Sequence, residues 1–83
     1  MAYRETPRMR ARKEATRQRI LDTTHELVAQ GGFGAASVAR VAEQSGVAIG
    51  SVYRHFDSKS DLFAEVFRRA TEIEVNRVGE ALD

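Results

Sequence analysis

The 83-residue chain has no cysteine and no tryptophan. Without cysteine there can be no disulfide framework and no thiolate metal site. The sequence therefore suits a reducing compartment, and the cytoplasm is the expected location. No apolar run approaches the roughly 18 residues that a membrane span needs, so no membrane partner is expected. The basic N-terminus has no apolar stretch behind it, which argues against a secretory signal. Strand-like alternation, repeats and low-complexity segments are also missing. What is left is one small helical domain, burying about 60–65% of the surface its unfolded chain exposes.

The formal net charge of +1 conceals an asymmetry. Residues 1–59 carry ten Lys/Arg against six Asp/Glu, whereas residues 60–83 carry three against six. The first twenty residues alone hold seven basic side chains and two acidic ones. A chain polarised in this way is suited to meet a polyanion with one end. The bland alternative is a solvated basic tail with no partner.

Residues 1–12 mix arginine, Pro7 and few apolar side chains, and read as a flexible basic arm. From about Lys13 the pattern turns helical. Ile20, Leu21, Thr24, Leu27 and Val28 share one face at the 3.6-residue period, opposite Arg19, Asp22 and Glu26. Gly31-Gly32 ends this helix, since glycine accepts the left-handed conformation of a C-terminal cap, and Phe33 is expected to fold back onto the core. Ser37 is an N-cap for a short helix over 38–45, with Val38, Val41, Ala42 and Ser45 inward. Gly46 stops it, and a second short helix follows over 49–55. A last helix starts at Ser58, three residues before Asp61, in the spacing of a capping box. Leu62, Phe63, Val66, Phe67, Ala70 and Ile73 form its apolar stripe, which then rotates to Val75, Val78 and Leu82. The rotation implies that the first half packs on this domain and the second half needs another partner.

The informative stretch is Val38 to Asp57. Two helices joined by about three residues at a steep angle must approach closely at the corner. Ala42 supplies the small side chain for that approach, Gly46 the residue tolerant of positive φ, and Val41, Val47 and Val52 the apolar packing. Along the second helix, Ile49, Val52, Tyr53 and Phe56 are expected to face the core. Gly50, Ser51, Arg54 and His55 then face outward. A helix that presents small residues and donors outward fits a major groove about 12 Å wide. There Arg54 can grip guanine O6 and N7 with both arms of its guanidinium, and Ser51 can donate to a base edge or a phosphate oxygen.

These residues resemble a known family. The run from Gly46 to Phe56 (GVAIGSVYRHF), with Ser58-Lys59 and Leu62, is similar to the signature of TetR-family regulators. Arg19-Ile20-Leu21-Asp22, the Gly32-Phe33 pair and the run from Ser37 to Ala42 (SVARVA) stand where that family has counterparts, so the likeness covers about residues 16–68. The resemblance implies an all-α fold: a three-helix helix-turn-helix (homeodomain-like) bundle over 13–57, followed by a long fourth helix over 58–83. It implies a sequence-specific, non-enzymatic DNA-binding transcriptional regulator, a repressor on a palindromic operator of double-stranded DNA. No cofactor and no metal are called for. A homodimer and a small-molecule inducer are implied for the full-length protein only, through a C-terminal domain that this chain lacks and to which helix 58–83 would connect. Carried over residue by residue, Ala48, Ile49, Gly50, Ser51 and Arg54 are base-facing, and Ser37, Arg40, Tyr53, His55 and Lys59 bind phosphate. The Tyr53 ring lodges against the core with its hydroxyl reaching out. The arm's arginines add minor-groove or backbone contacts, as such extensions do in some members. Many relatives carry arginine where this chain has Ala39, with Arg40 next to it. Position 49 is commonly polar and DNA-proximal in the family. Ile49 thus stands between a core role and contact with a thymine methyl.

Other readings are weaker. Ser51, His55 and Asp57 look superficially like a nucleophile, base and acid, but a unit this small offers little room for an oxyanion hole and pocket. His25 and His55 are thirty residues apart, with no ligand cluster beside either, and His25 reads as a partly exposed packing residue. An RNA reading lacks an exposed stacking pair or a strand platform. The serious competitor is a helical protein-interaction module that uses the basic arm and the apolar stripe of the last helix.

Overall fold

The structure is a computed structural model. It describes the backbone of residues 6–82 and the side chains of residues 6–72. Helix α1 spans Pro7–Gly31, a short 3-10 turn spans Phe33–Ala35, α2 spans Val38–Ser45, α3 spans Ile49–His55 and α4 spans Lys59–Leu82. The fold is all-α, with no strand among the described residues. None of its helices there is long and apolar enough to cross a membrane.

The first helix starts earlier than the apolar periodicity suggests. Residues 7–12, expected in a flexible arm, form its opening turns; residues 1–5 of that arm lie outside the described residues. The cause is local. The Thr6 hydroxyl accepts the Met9 N–H at 3.1 Å, and Pro7 occupies the first helical position, where its missing N–H costs nothing. At the other end Gly32 adopts φ 79° and its N–H donates to the Val28 carbonyl at 2.7 Å.

The remaining elements pack against one stripe of α1. Ile20, Leu21, Thr24 and Leu27 are buried there and meet Val38, Val41 and Ala42 of α2, Val52 of α3, Phe56, and Leu62 and Val66 of α4. Val28, Val47 and Phe63 close the margin. The two buried hydroxyls are satisfied inside their own helices, Thr24 donating to the Ile20 carbonyl at 2.8 Å and Ser45 to that of Val41 at 2.6 Å. The corner between α2 and α3 is a Schellman motif: the Gly46 N–H donates to the Glu43 carbonyl and the Val47 N–H to that of Ala42. Gly46 sits at φ 75°, ψ 24°, which favours glycine. Helix α4 opens with half of the expected capping box, the Asp61 N–H donating to the Ser58 hydroxyl at 3.2 Å.

Four aromatic and aliphatic side chains depart from the expected core. Ile49 and Tyr53 are each 48% exposed. Helix α3 has only two turns, and its seam is the Val52–Phe56 pair one turn apart. Ile49 therefore overhangs that seam at the helix start, and Tyr53 is turned roughly 100° away from Val52. Phe67 is 55% and Phe33 46% exposed. Their rings pack on each other at 5.3 Å between centroids, and Phe33 meets Phe63 edge-on at 5.1 Å. Phe33 thus folds back onto α4 at the margin of the core and not into it. His25 is exposed beside Asp22 and Arg69. The expected stripe at Ile73, Val75, Val78 and Leu82 falls on side chains outside the described residues.

A polar seam also ties α1 to α4. Arg17 pairs with Glu65 at 3.3 Å, and Arg69 pairs with Asp22 at 2.8 Å while donating to the Gln18 side-chain oxygen at 2.8 Å. Two substitutions separate the forces at work. Leu62, fully buried, should lose about 2–5 kcal/mol of stability as Leu62→Ala, because lost transfer energy and a cavity add. Gly46→Ala meets no atom within 4 Å, so its cost should be conformational alone, about 1–2 kcal/mol. Urea unfolding of both variants measures the difference.

Candidate nucleic-acid interface

Burial of Val52 and Phe56 fixes the rotation of α3 about its own axis. At about 100° per residue, Arg54 then points directly away from the core, with Gly50 beside it, and both are exposed. A Cβ on Gly50 would meet nothing within 4 Å. The domain's packing does not require this glycine; its effect is to keep the outer surface of α3 low enough for another molecule to approach.

The flanks of α3 differ. Ile49 and Tyr53 lie along one edge, and Ser51 and His55, both half-buried, lie along the other. On the second edge the opening turns of α1 come alongside. Ser51, Arg54 and His55 of α3 together with Arg12, Lys13 and Thr16 of α1 line an open groove of about 400 Å³. Three of the ten expected site residues thus share one concavity. Ala48 is the exposed residue that precedes α3.

The other expected residues are dispersed around it. Ser37 caps α2, its hydroxyl accepting the Arg40 N–H at 3.1 Å, which leaves the hydroxyl proton free to donate outward. Arg40 is exposed on the first turn of α2. Tyr53 was expected to lodge its ring against the core; it instead stands half out of the surface. Lys59 opens α4 with its ammonium 5.3 Å from the centroid of the Phe63 ring, an exposed cation–π contact worth about 0.5–1 kcal/mol.

Sequence reasoning missed Lys13 and Thr16 as site residues and placed Arg12 only among the arm's arginines, because apolar periodicity is silent where α1 runs past the core. The Thr6-Pro7 pair was the available signal: an N-cap residue followed by proline at the first helical position. Arg17 was also missed. Its guanidinium lies 4.9 Å from the Phe56 ring centroid while paired to Glu65, so one side chain joins α1, the end of α3, and α4.

His55 sits between these groups. Burial holds its pKa below the usual 6.5; the positive charges of Arg17 and Lys13 lower it further, and Glu14 opposes them weakly. The folded domain therefore favours neutral imidazole at pH 7. Because the folded value lies below the unfolded one, the stability linked to His55 is present above pH 6.5 and is lost as pH falls through the folded value. An NMR titration of the His55 ring should show a midpoint below 6.5, and Arg17→Gln should move that midpoint upward.

The likenesses to known proteins follow the same residues. A family model described as "Bacterial regulatory proteins, tetR family" matches residues 20–66. The chain is 39% identical over 67 residues to the HTH-type transcriptional regulator AcrR of Shigella flexneri, covering 81% of this chain and 29% of that protein. It is 35% identical over 75 residues to an HTH-type transcriptional regulator of Staphylococcus aureus strain USA300, covering 90% of this chain and 40% of that one. The chain thus spans well under half the length of these curated relatives. No solved structure matches it significantly.

Proposed function

This chain belongs to the tetR family of bacterial regulatory proteins, and from that premise we propose that it is the DNA-reading head of a transcriptional regulator. The observation that carries the reading is the outer face of α3. Val52 and Phe56 anchor the helix, Gly50 leaves it unobstructed, and Arg54 stands at the centre of the exposed side with cations on its flank. In this reading α3 enters the major groove. Arg54 reads a guanine through O6 and N7, Ser51 reaches a base edge or phosphate, and the exposed Ile49 meets a thymine methyl. Ala48 and Gly50 let the backbone come close. Ser37, Arg40, Tyr53, His55 and Lys59 hold the phosphates on either side, which sets the register without reading sequence.

The exposure of Ile49 and Tyr53 supports these roles, since a buried side chain could contact no DNA. In the full reading, residues up to 57 form the head, and helix α4 connects it to a part of the protein that dimerises and takes a small-molecule inducer. The regulator is a cytoplasmic repressor on a palindromic operator, and the head itself performs no catalysis.

Two measurements test this. Arg54→Ala should relax preference at one base position by about 1–3 kcal/mol, whereas Lys59→Ala should weaken all sequences alike. A binding series on single-base operator variants distinguishes them, and equal losses for Arg54→Ala across all variants would remove its base-reading role. The chain by itself should bind a half-site at tens of micromolar, since half of a nanomolar dimer's roughly −12 kcal/mol corresponds to that affinity. Its affinity should fall linearly in log–log form with salt. A salt-independent interaction would point instead to protein association through apolar surface.

A further inference from the structure

Helix α3 has little of its own to hold it still. It is seven residues long and has no side-chain cap at Ala48, so its direction depends on tertiary contacts. At its C-terminal end that contact is Phe56, which is 4% exposed. Part of the cover over this ring is charged. The Arg17 guanidinium of α1 stands 4.9 Å from the ring centroid, within cation–π range. The same guanidinium pairs with the Glu65 carboxylate of α4 at 3.3 Å, both side chains being largely shielded from solvent. Hydrogen bonds, from Arg68 above all and also from Arg17, hold the Glu65 carboxyl below its usual pKa against an opposing desolvation. The pair is therefore charged at pH 7. Arg17 shares a cleft with Phe56 and Glu65, and it does not line the α1–α3 groove that Arg54 lines.

We propose that Arg17 is a positioning residue for sequence reading: held between the Glu65 carboxylate and the Phe56 ring, it clamps the end of α3 and so sets the direction in which Arg54 points. The inference rests on the DNA-binding reading and deepens it, since Arg17 acts through Phe56 without touching a base. Arg54 lies two residues before Phe56 on the opposite side of the helix, so a small rotation about the Val52–Phe56 seam swings its guanidinium sideways. A bidentate contact to guanine O6 and N7 is planar and directional and fails with such a swing. Phosphate contacts made by long side chains around the helix set register and tolerate it better. Loss of the clamp thus removes discrimination between sequences more than it removes affinity.

Charge alone predicts something different. Arg17→Gln removes a cation and Glu65→Gln removes an anion, so a pure field effect on a polyanion would weaken binding in the first and tighten it in the second. The clamp needs both partners, and either substitution releases it.

The test is fluorescence anisotropy on two labelled duplexes, one selected from a random pool by the wild-type chain and one with its sequence scrambled. The ratio of the two affinities is independent of the folded fraction, so a mere loss of stability does not move it. Arg17→Gln and Glu65→Gln should each lower the ratio about fivefold, and the double variant should lower it no further. On single-base variants of the selected duplex, the loss should concentrate at the position that Arg54→Ala relaxes. Arg17→Lys, which keeps the ion pair, should retain most of the ratio. Arg19→Gln, an exposed α1 cation that lines neither the groove nor the cleft, should weaken both duplexes alike. A wild-type ratio in Arg17→Gln, or tighter binding of both duplexes by Glu65→Gln, would overturn the proposal. If the wild-type chain binds neither duplex, the DNA reading fails, and amide hydrogen exchange then decides the clamp. The Phe56 N–H, bonded to the Val52 carbonyl at 2.9 Å, should exchange about fivefold faster in Arg17→Gln relative to the Val41 N–H of α2, bonded to Ser37 at 2.9 Å. An unchanged relative rate would end the idea.

Discussion

Everything in this domain depends on one buried stripe of α1. Ile20, Leu21, Thr24 and Leu27 are the surface on which α2, α3 and α4 meet. Each fully buried aliphatic side chain is worth about 1.5–3 kcal/mol, and a domain this small has few of them. The stripe also orients what it does not touch. Because Val52 and Phe56 must face it, Arg54 must face away, and the exposed face of α3 is set by the hydrophobic contact on the other side. The Schellman turn at Gly46 makes that arrangement possible by bringing α3 back across α2 without a free loop.

Charge is distributed around this frame in two ways. Between α1 and α4 the arginines meet carboxylates, so that Arg17, Arg69, Asp22 and Glu65 fasten a helix pair. Exposed and partly exposed pairs of this kind contribute little each, but they neutralise that side of the molecule. Along the α1–α3 edge Arg12, Lys13 and Arg54 line one groove with Thr16, Ser51 and His55. The ion-paired α1–α4 seam and the α1–α3 groove are thus distinct, and Arg17 lies at their boundary, paired to Glu65 while its guanidinium covers Phe56 beside His55.

Much of this was legible beforehand. The bounds of α2 and α3 followed from Ser37, Gly46 and the spacing of Val38, Val41, Ala42 and Ser45, because cap and turn chemistry act over three or four residues. The start of α4 at Ser58–Asp61 followed for the same reason. The candidate contacts in the stretch from Ala48 to Lys59 came from resemblance to a family signature together with the outward side of a helical wheel. The wheel was less reliable for Ile49, Tyr53 and Phe67. It assigns a direction to each residue but does not say where the neighbouring helix ends, and a two-turn helix overhangs its partner at both ends. The opening of α1 was misjudged for a different reason. Apolar periodicity is silent where a helix projects beyond the core, and only the Thr6-Pro7 cap marked it.

The sequence by itself determined the helical class, the helix-turn-helix corner and the residues offered by α3, since local hydrogen bonding and period-3.6 burial are written into neighbouring positions. Only the tertiary structure decided which side chains share a site. Arg12 and Arg54 are more than forty residues apart in the chain, and nothing local links them. They face one groove because α1 runs past its own core and α3 is docked against it. That placement is a property of how three helices cross, which no single stretch of residues encodes.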